Sequence, residues 1–320
     1  MFLKSFIKRS ALLVAALITL STLTGRTQNL PAITPTDLHT RFVWLADTTH
    51  QQNEPYAAML IPVKLPHCPQ QFYMQFDLGA PNTIFYKAKM KTIAQRYPKS
   101  VNLVDSTQLR DQQLLINGAV INSSSITLKA FGNAVINWKS KDSYNIIGTI
   151  GADLLHHKTI VIDYPKADLQ IADSIPVELK PKVNFHDLIY AQNSILLPAT
   201  LMGKRTMLFF DTGSSAFELL LDEVNTRKLA EPGGQPTKRA VNSWGRTLTA
   251  NTFATNDSLS IAGQRLPIKK ATYMDGASDS QLSRMMALGI GGMTGNKLFL
   301  NSILIMDLKA KKFGIIPQLN

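Results

Sequence analysis

The sequence has one cysteine, Cys68, in 320 residues. An internal disulfide is therefore excluded, and the folded chain depends on its hydrophobic core. Beyond the N-terminus no apolar run is long enough for a membrane-spanning helix. Dense charge runs are also missing. The net charge is +12, but apart from residues 309–312 (KAKK) the lysines and arginines are scattered. Scattered charge makes a solvated surface rather than a nucleic-acid-binding stripe. His and Cys stand side by side only at His67-Cys68 and His156-His157, and two neighbouring ligands without further partners are too few for a metal site. No metal and no organic cofactor is expected.

The first residues differ from the rest. Lys4, Lys8 and Arg9 precede the apolar run ALLVAALITL at 11–20, and small and polar residues follow. That order predicts a secretory signal peptide over 1–27, cut between Gly25 and Gln28, with no cysteine there to carry a lipid. The segment holds four cations and no acid, so the remainder carries +8 (12 minus 4). The expected product is exported, periplasmic or extracellular, monomeric, and without an integral membrane span. At 45% hydrophobic residues, it can build one large core or two lobes.

The chain repeats itself. Residues 60–65 (LIPVKL) resemble 196–201 (LLPATL), and each leads through a turn into an apolar strand, FYMQF at 72–76 and MLFF at 207–210. Each strand ends in an Asp-x-Gly triplet, Asp77-Leu78-Gly79 and Asp211-Thr212-Gly213. Each triplet is followed by an extended run and a predicted helix, from Lys87 and from Asp222, the latter a good N-cap. Downstream, 148–155 (GTIGADLL) leads to Asp163 and 292–299 (GMTGNKLF) leads to Asp307, both at an offset of 144 residues. Asp163 and Asp307 read as turn residues between strands. The prolines in 174–181 mark a linker, dividing the mature chain into lobes 28–176 and 177–320. Residues 28–55 are either a short pro-segment or the first strand of a sheet between the lobes. Short β-branched and aromatic strands predict an all-β fold with minor α content, as two related β lobes facing each other across a cleft.

These paired motifs resemble the pepsin-like and retropepsin-like aspartic proteases over nearly all of the chain after about residue 55. The resemblance implies a bilobal fold in which each lobe gives one carboxylate, Asp77 and Asp211, to an active-site dyad. It implies supporting roles for Gly79, Thr212, Gly213 and Ser214, and bracing of the two loops by 149–151 and 293–295. Two carboxylates in contact cannot both ionise cheaply, so they share a proton. One then activates water and the other polarises the substrate carbonyl. Two departures stand out. Leu78 replaces the family's hydroxyl residue, so Thr212 is expected to lack the partner hydroxyl that interlocks the lobes. The family's flap, a first-lobe hairpin with an aromatic-Gly tip, has no clear counterpart in the first lobe. In the second lobe Trp244 and Gly245, 33 and 34 residues after Asp211, are either that tip or part of an ordinary hairpin.

Three functions follow. An exported endopeptidase would cleave peptide or protein substrates through Asp77 and Asp211. A pepsin-like protein weakened by Leu78 would bind peptides or a protein partner without cutting them. A β-rich adhesion or solute-binding module would place the two aspartates far apart and exposed.

Overall fold

The computed structural model describes residues 31–34, 36–48, 53–103, 105–140, 143–243, 245–276 and 289–318. The expected signal segment and Trp244 lie outside the described residues. Within them, twenty-two strands form three sheets, two of eight strands and one of six. Two α-helices accompany them, Lys87–Arg96 and Glu223–Leu229. Asp222 caps the second helix, its carboxylate accepting from the Asn225 N–H at 2.9 Å.

Each eight-stranded sheet belongs to one half of the chain, and the two are wired alike. In the first, Phe72–Phe76 runs parallel to Ile146–Ile150, with Phe76 opposite Ile150. In the second, Lys204–Phe210 runs parallel to Ile290–Thr294, with Phe210 opposite Thr294. A short strand then crosses antiparallel to the downstream strand and parallel to a long one. It is Ile84–Tyr86 in the first sheet and Leu219–Leu220 in the second. Alternation explains the strands that lead to the triplets: Phe72, Met74 and Phe76 are fully buried while Tyr73 and Gln75 are half-buried. Phe76 and Phe210 are both 0% exposed. Each ring contributes about 1.5–3 kcal/mol by burial and fixes the residue that follows it.

The six-stranded sheet joins the halves. Thr159–Asp163 pairs antiparallel with Ser302–Asp307, and Val161 stands opposite Ile305. Those two residues are 144 apart, the offset of the sequence repeat. Equivalent residues of the two copies therefore face each other, and a local twofold axis passes between them. Leu38–Arg41 adds to the same sheet beside Asp168–Ala172, so this part of 28–55 is a strand of the interlobe sheet. The stretch read as a linker packs on this sheet, where its Ile175 and Leu179, with Val183 and Phe185 just after it, cover Val161, Ile303 and Ile305. Asp163 and Asp307 hold turns, accepting from the N–H of Lys166 and Ala310.

Candidate active site at the lobe boundary

The parallel strand pairs deliver the two triplets to the axis. Asp77 N–H donates to Ile150 C=O at 3.0 Å, and Asp211 N–H donates to Thr294 C=O at 3.0 Å. The last residue of each strand is therefore held by the downstream strand of its own lobe. The downstream glycines bring backbone against the loops. A Cβ on Gly151 would lie 2.4 Å from the Asn82 carbonyl carbon, and one on Gly295 would lie 2.0 Å from the Ser214 oxygen. Only a residue without a side chain permits that approach.

The glycines of the triplets do something different. A Cβ on Gly79 would lie 2.4 Å from Cγ of Asp211, and a Cβ on Gly213 would lie 2.4 Å from Cγ of Asp77. Each lobe's missing side chain is the space occupied by the other lobe's carboxylate. Gly79 N–H is shared between Asp77 Oδ1 at 3.0 Å and Asp211 Oδ1 at 3.1 Å. The third reading of the sequence, which required the aspartates far apart and exposed, is overturned by this geometry.

The two carboxyls are not equivalent. Asp211 is half-buried and accepts from three donors: Gly213 N–H at 2.8 Å, Gly79 N–H at 3.1 Å and Ser214 Oγ at 2.8 Å. Asp77 is buried and accepts from Gly79 and Ala80 N–H, both at 3.0 Å. Ala80 has no hydroxyl to match Ser214. Burial pushes the Asp77 carboxyl up to about 8, with the Asp211 charge and the bond between the two carboxyls adding to the rise. Deeper burial and fewer donors both favour the neutral form at Asp77.

Leu78 offers Thr212 no partner hydroxyl, yet Thr212 is not unpaired. Its hydroxyl accepts from Leu78 N–H at 2.9 Å and donates to Phe76 C=O at 2.8 Å. Thr212 is thus satisfied by backbone across the lobe boundary, and the side chain of residue 78 plays no part. Leu78, fully buried, packs into the core instead. What Leu78 removes is the reciprocal half of the interlock, not the half made by Thr212.

Several supporting residues were not anticipated. Asn296 donates to Thr212 C=O and to Ser215 Oγ, both at 3.0 Å, and its Oδ1 accepts from the Tyr164 hydroxyl at 2.7 Å. In the first lobe the brace is Asp153, one position further along the repeat than Asn296, accepting from Thr83 N–H and Oγ1 at 2.9 and 2.7 Å. Burial pushes its carboxyl up. Asn296 directly follows Gly295 and Asp153 stands two residues after Gly151, and this closeness to the bracing glycines is the one sequence signal that pointed to them. Lys297 and Glu54 form an ion pair of 2.6 Å between the lobes.

No family model matches the sequence, and no curated protein matches it. Among solved structures the chain is similar to the aspartic proteinase from Irpex lacteus. The match has 11% identity and a TM-score of 0.49, and it covers 88% of this chain and 97% of that one. That identity is too low to carry any residue's role across. The all-β, bilobal architecture with one Asp-x-Gly loop per lobe is nonetheless the one expected of pepsin-like proteases.

A hairpin of the second lobe, Thr237–Ser243 with Arg246–Ile261, lines a cavity together with Gly213. Ser243 pairs with Arg246, and Gly245 in the turn has φ +81°, which glycine adopts without strain. Its Cα side faces Phe131 of the first lobe, whose ring a Cβ would meet at 3.8 Å. Phe131 lies edge-on to Tyr86 at 6.2 Å, and the Tyr86 hydroxyl is 3.2 Å from Thr149 Oγ1. Burial raises the Tyr86 phenol, and the Asp77 charge raises it further. Among the described residues no such hairpin occupies 97–107 in the first lobe. A cavity of 370 Å³ opens between this hairpin and the loop of Asp211, bounded by Asp47 and Ala57 of the first lobe and by Gly213, Phe217, Arg239 and Val241.

Proposed function

We propose that the protein is an exported aspartic endopeptidase that hydrolyses peptide bonds with water activated by Asp77 and Asp211. The observation that carries this reading is the crossed pair of carboxyls, each seated in the space left by the other lobe's glycine. Three donors favour the charge on Asp211, and burial favours the proton on Asp77. Asp211 then takes a proton from the water as its oxygen bonds to the substrate carbonyl carbon. Asp77 gives its proton to the carbonyl oxygen. In the second step the C–N bond breaks, the nitrogen takes the proton from Asp211, and a hydroxyl of the diol returns a proton to Asp77. The dyad ends as it began.

The hairpin carrying Gly245 is the flap in this reading, and Trp244 belongs to its tip by sequence. Flap, Ser214 and the charged aspartate then all belong to the second lobe, so the lobes exchange the roles they hold in the family. The second reading is a peptide-binding protein without turnover, and Leu78 favours it, because only one half of the interlock is made. Cleavage of a mixed peptide library from pH 3 to 8, with and without a statine-type inhibitor, decides between them. Asp77→Asn and Asp211→Asn should each reduce cleavage by about 10²–10⁴-fold, the share of positioned acid–base catalysis. Peptide binding without cleavage by the unaltered protein at every pH would leave the second reading standing.

A further inference from the structure

We infer that the cavity beside the dyad takes an acidic side chain of the substrate, aspartate or glutamate, and that Arg239 reads it; this rests on the peptide-cleft reading above. Along Thr237–Ser243, Arg239, Val241 and Ser243 are half-buried while their neighbours are exposed, so alternation turns Arg239 inward. Its guanidinium lies over the ring of Phe217, 5.9 Å from the centroid. Phe217 is itself fixed by backbone bonds to Ser214 and Gly295. A ring over one face of a guanidinium orients it and leaves its edge N–H donors open.

Those donors have no carboxylate within ion-pair distance among the described residues. Arg227 shows the contrast: it also lies over rings, those of Phe253 and Tyr273, but Glu223 pairs with it at 2.7 Å. Arg239 lines a cavity together with Ala57, Gly213 and Val241, which carry no charge. The one carboxylate among the lining residues, Asp47, is not without a partner and forms no ion pair with Arg239 among the described residues. A substrate carboxylate entering beside Gly213 would receive charge-assisted hydrogen bonds from a preoriented fork. An amide of the same shape would not.

Peptides matched except for Glu, Gln or Lys at each position around the scissile bond test this. The unaltered protein should prefer Glu over Gln by about tenfold at one position, the share of a charge-assisted bond. Arg239→Gln should bring that ratio within about twofold while still cleaving the Gln peptide, and Arg239→Lys should keep part of it. Absence of a Glu preference, its survival in Arg239→Gln, or a Lys preference abolished by Asp47→Asn would each overturn the inference. If no peptide is cut, the proteolytic reading fails on its own. Calorimetric titration of the same peptides then decides for the subsite: tighter binding of Glu than Gln, lost in Arg239→Gln, supports it, and equal or absent binding overturns it.

Discussion

Asp77→Asn separates the charge of the dyad from its shape. The amide keeps an oxygen to accept from Gly79 and Ala80 N–H, and it offers an N–H to Asp211 in place of the shared proton. The Asp77 carboxyl is raised from 3.8 to about 8. Since the folded value lies above the unfolded one, its contribution to stability is fully present below pH 3.8. It is lost as pH rises through 8. At about 1.36 kcal/mol per pH unit, holding the native dyad costs about 3 kcal/mol at pH 6 and on the order of 5 kcal/mol at pH 8. The variant does not carry this cost. It should match the unaltered protein near pH 4 and exceed it by several kcal/mol near pH 8, while cleavage falls by the factor given above. Urea unfolding at fixed pH values from 4 to 8 measures the difference. A gap that does not change with pH, or a variant less stable throughout, would refute the electrostatic account.

Gly79→Ala and Gly213→Ala should each destabilise by more than about 2 kcal/mol, the scale of overpacking and strain at a closed site. In each the new Cβ falls 2.4 Å from the opposite carboxyl carbon, and thermal unfolding reads the loss. Thr212→Val should cost about 2–4 kcal/mol, because Leu78 N–H and Phe76 C=O both lose their partner inside the core. A cost under about 0.5 kcal/mol would mean that the cross-lobe bonds do not hold the loops. In Leu78→Thr the new hydroxyl should bond second-lobe backbone rather than Thr212, whose hydroxyl is already committed. Cleavage should rise while stability changes by less than about 2 kcal/mol, the lost burial offset by new bonds; a fall in both would show that the site cannot seat a hydroxyl.

The parts of the fold that were legible in the sequence are those encoded by local pattern and repetition. FYMQF and MLFF alternate in the way that half-buried strands require, and the 144-residue offset recurs as the Val161–Ile305 pairing across the axis. The triplets identified Asp77 and Asp211 because a carboxylate directly after a buried aromatic is costly without a purpose. Contacts between lobes were not legible. Thr212 was expected to lack its partner hydroxyl, and its bonds go to backbone instead, which leaves no mark on the side chain at residue 78. Asn296 and Asp153 brace their loops from positions one residue out of register in the repeat, opposite Ala152 and Lys297, so comparison of the two copies residue by residue passes over both. Arg239 shows only as one cation on an alternating strand, and the ring beneath it comes from 22 residues earlier.

In the proteolytic reading proposed above, the differences between the loops follow from what a dyad sharing one proton needs. If both carboxyls had the same donors, neither would be favoured to hold the proton, and the roles of acid and base would be unassigned. Ser214 on one side and Ala80 on the other break the tie, and so does the deeper burial of Asp77. The hydroxyl belongs where negative charge is to be kept, and its absence belongs where the proton is to be kept. The interlock divides similarly. Thr212 ties the second loop to the first through Leu78 N–H and Phe76 C=O. The buried Leu78 side chain holds the first loop by packing, in a core that also contains Phe76 and Phe210. A hydroxyl in one copy and a leucine in the other are two ways to hold one axis. The copy that carries the hydroxyls is also the one whose hairpin lines the cavity beside Gly213.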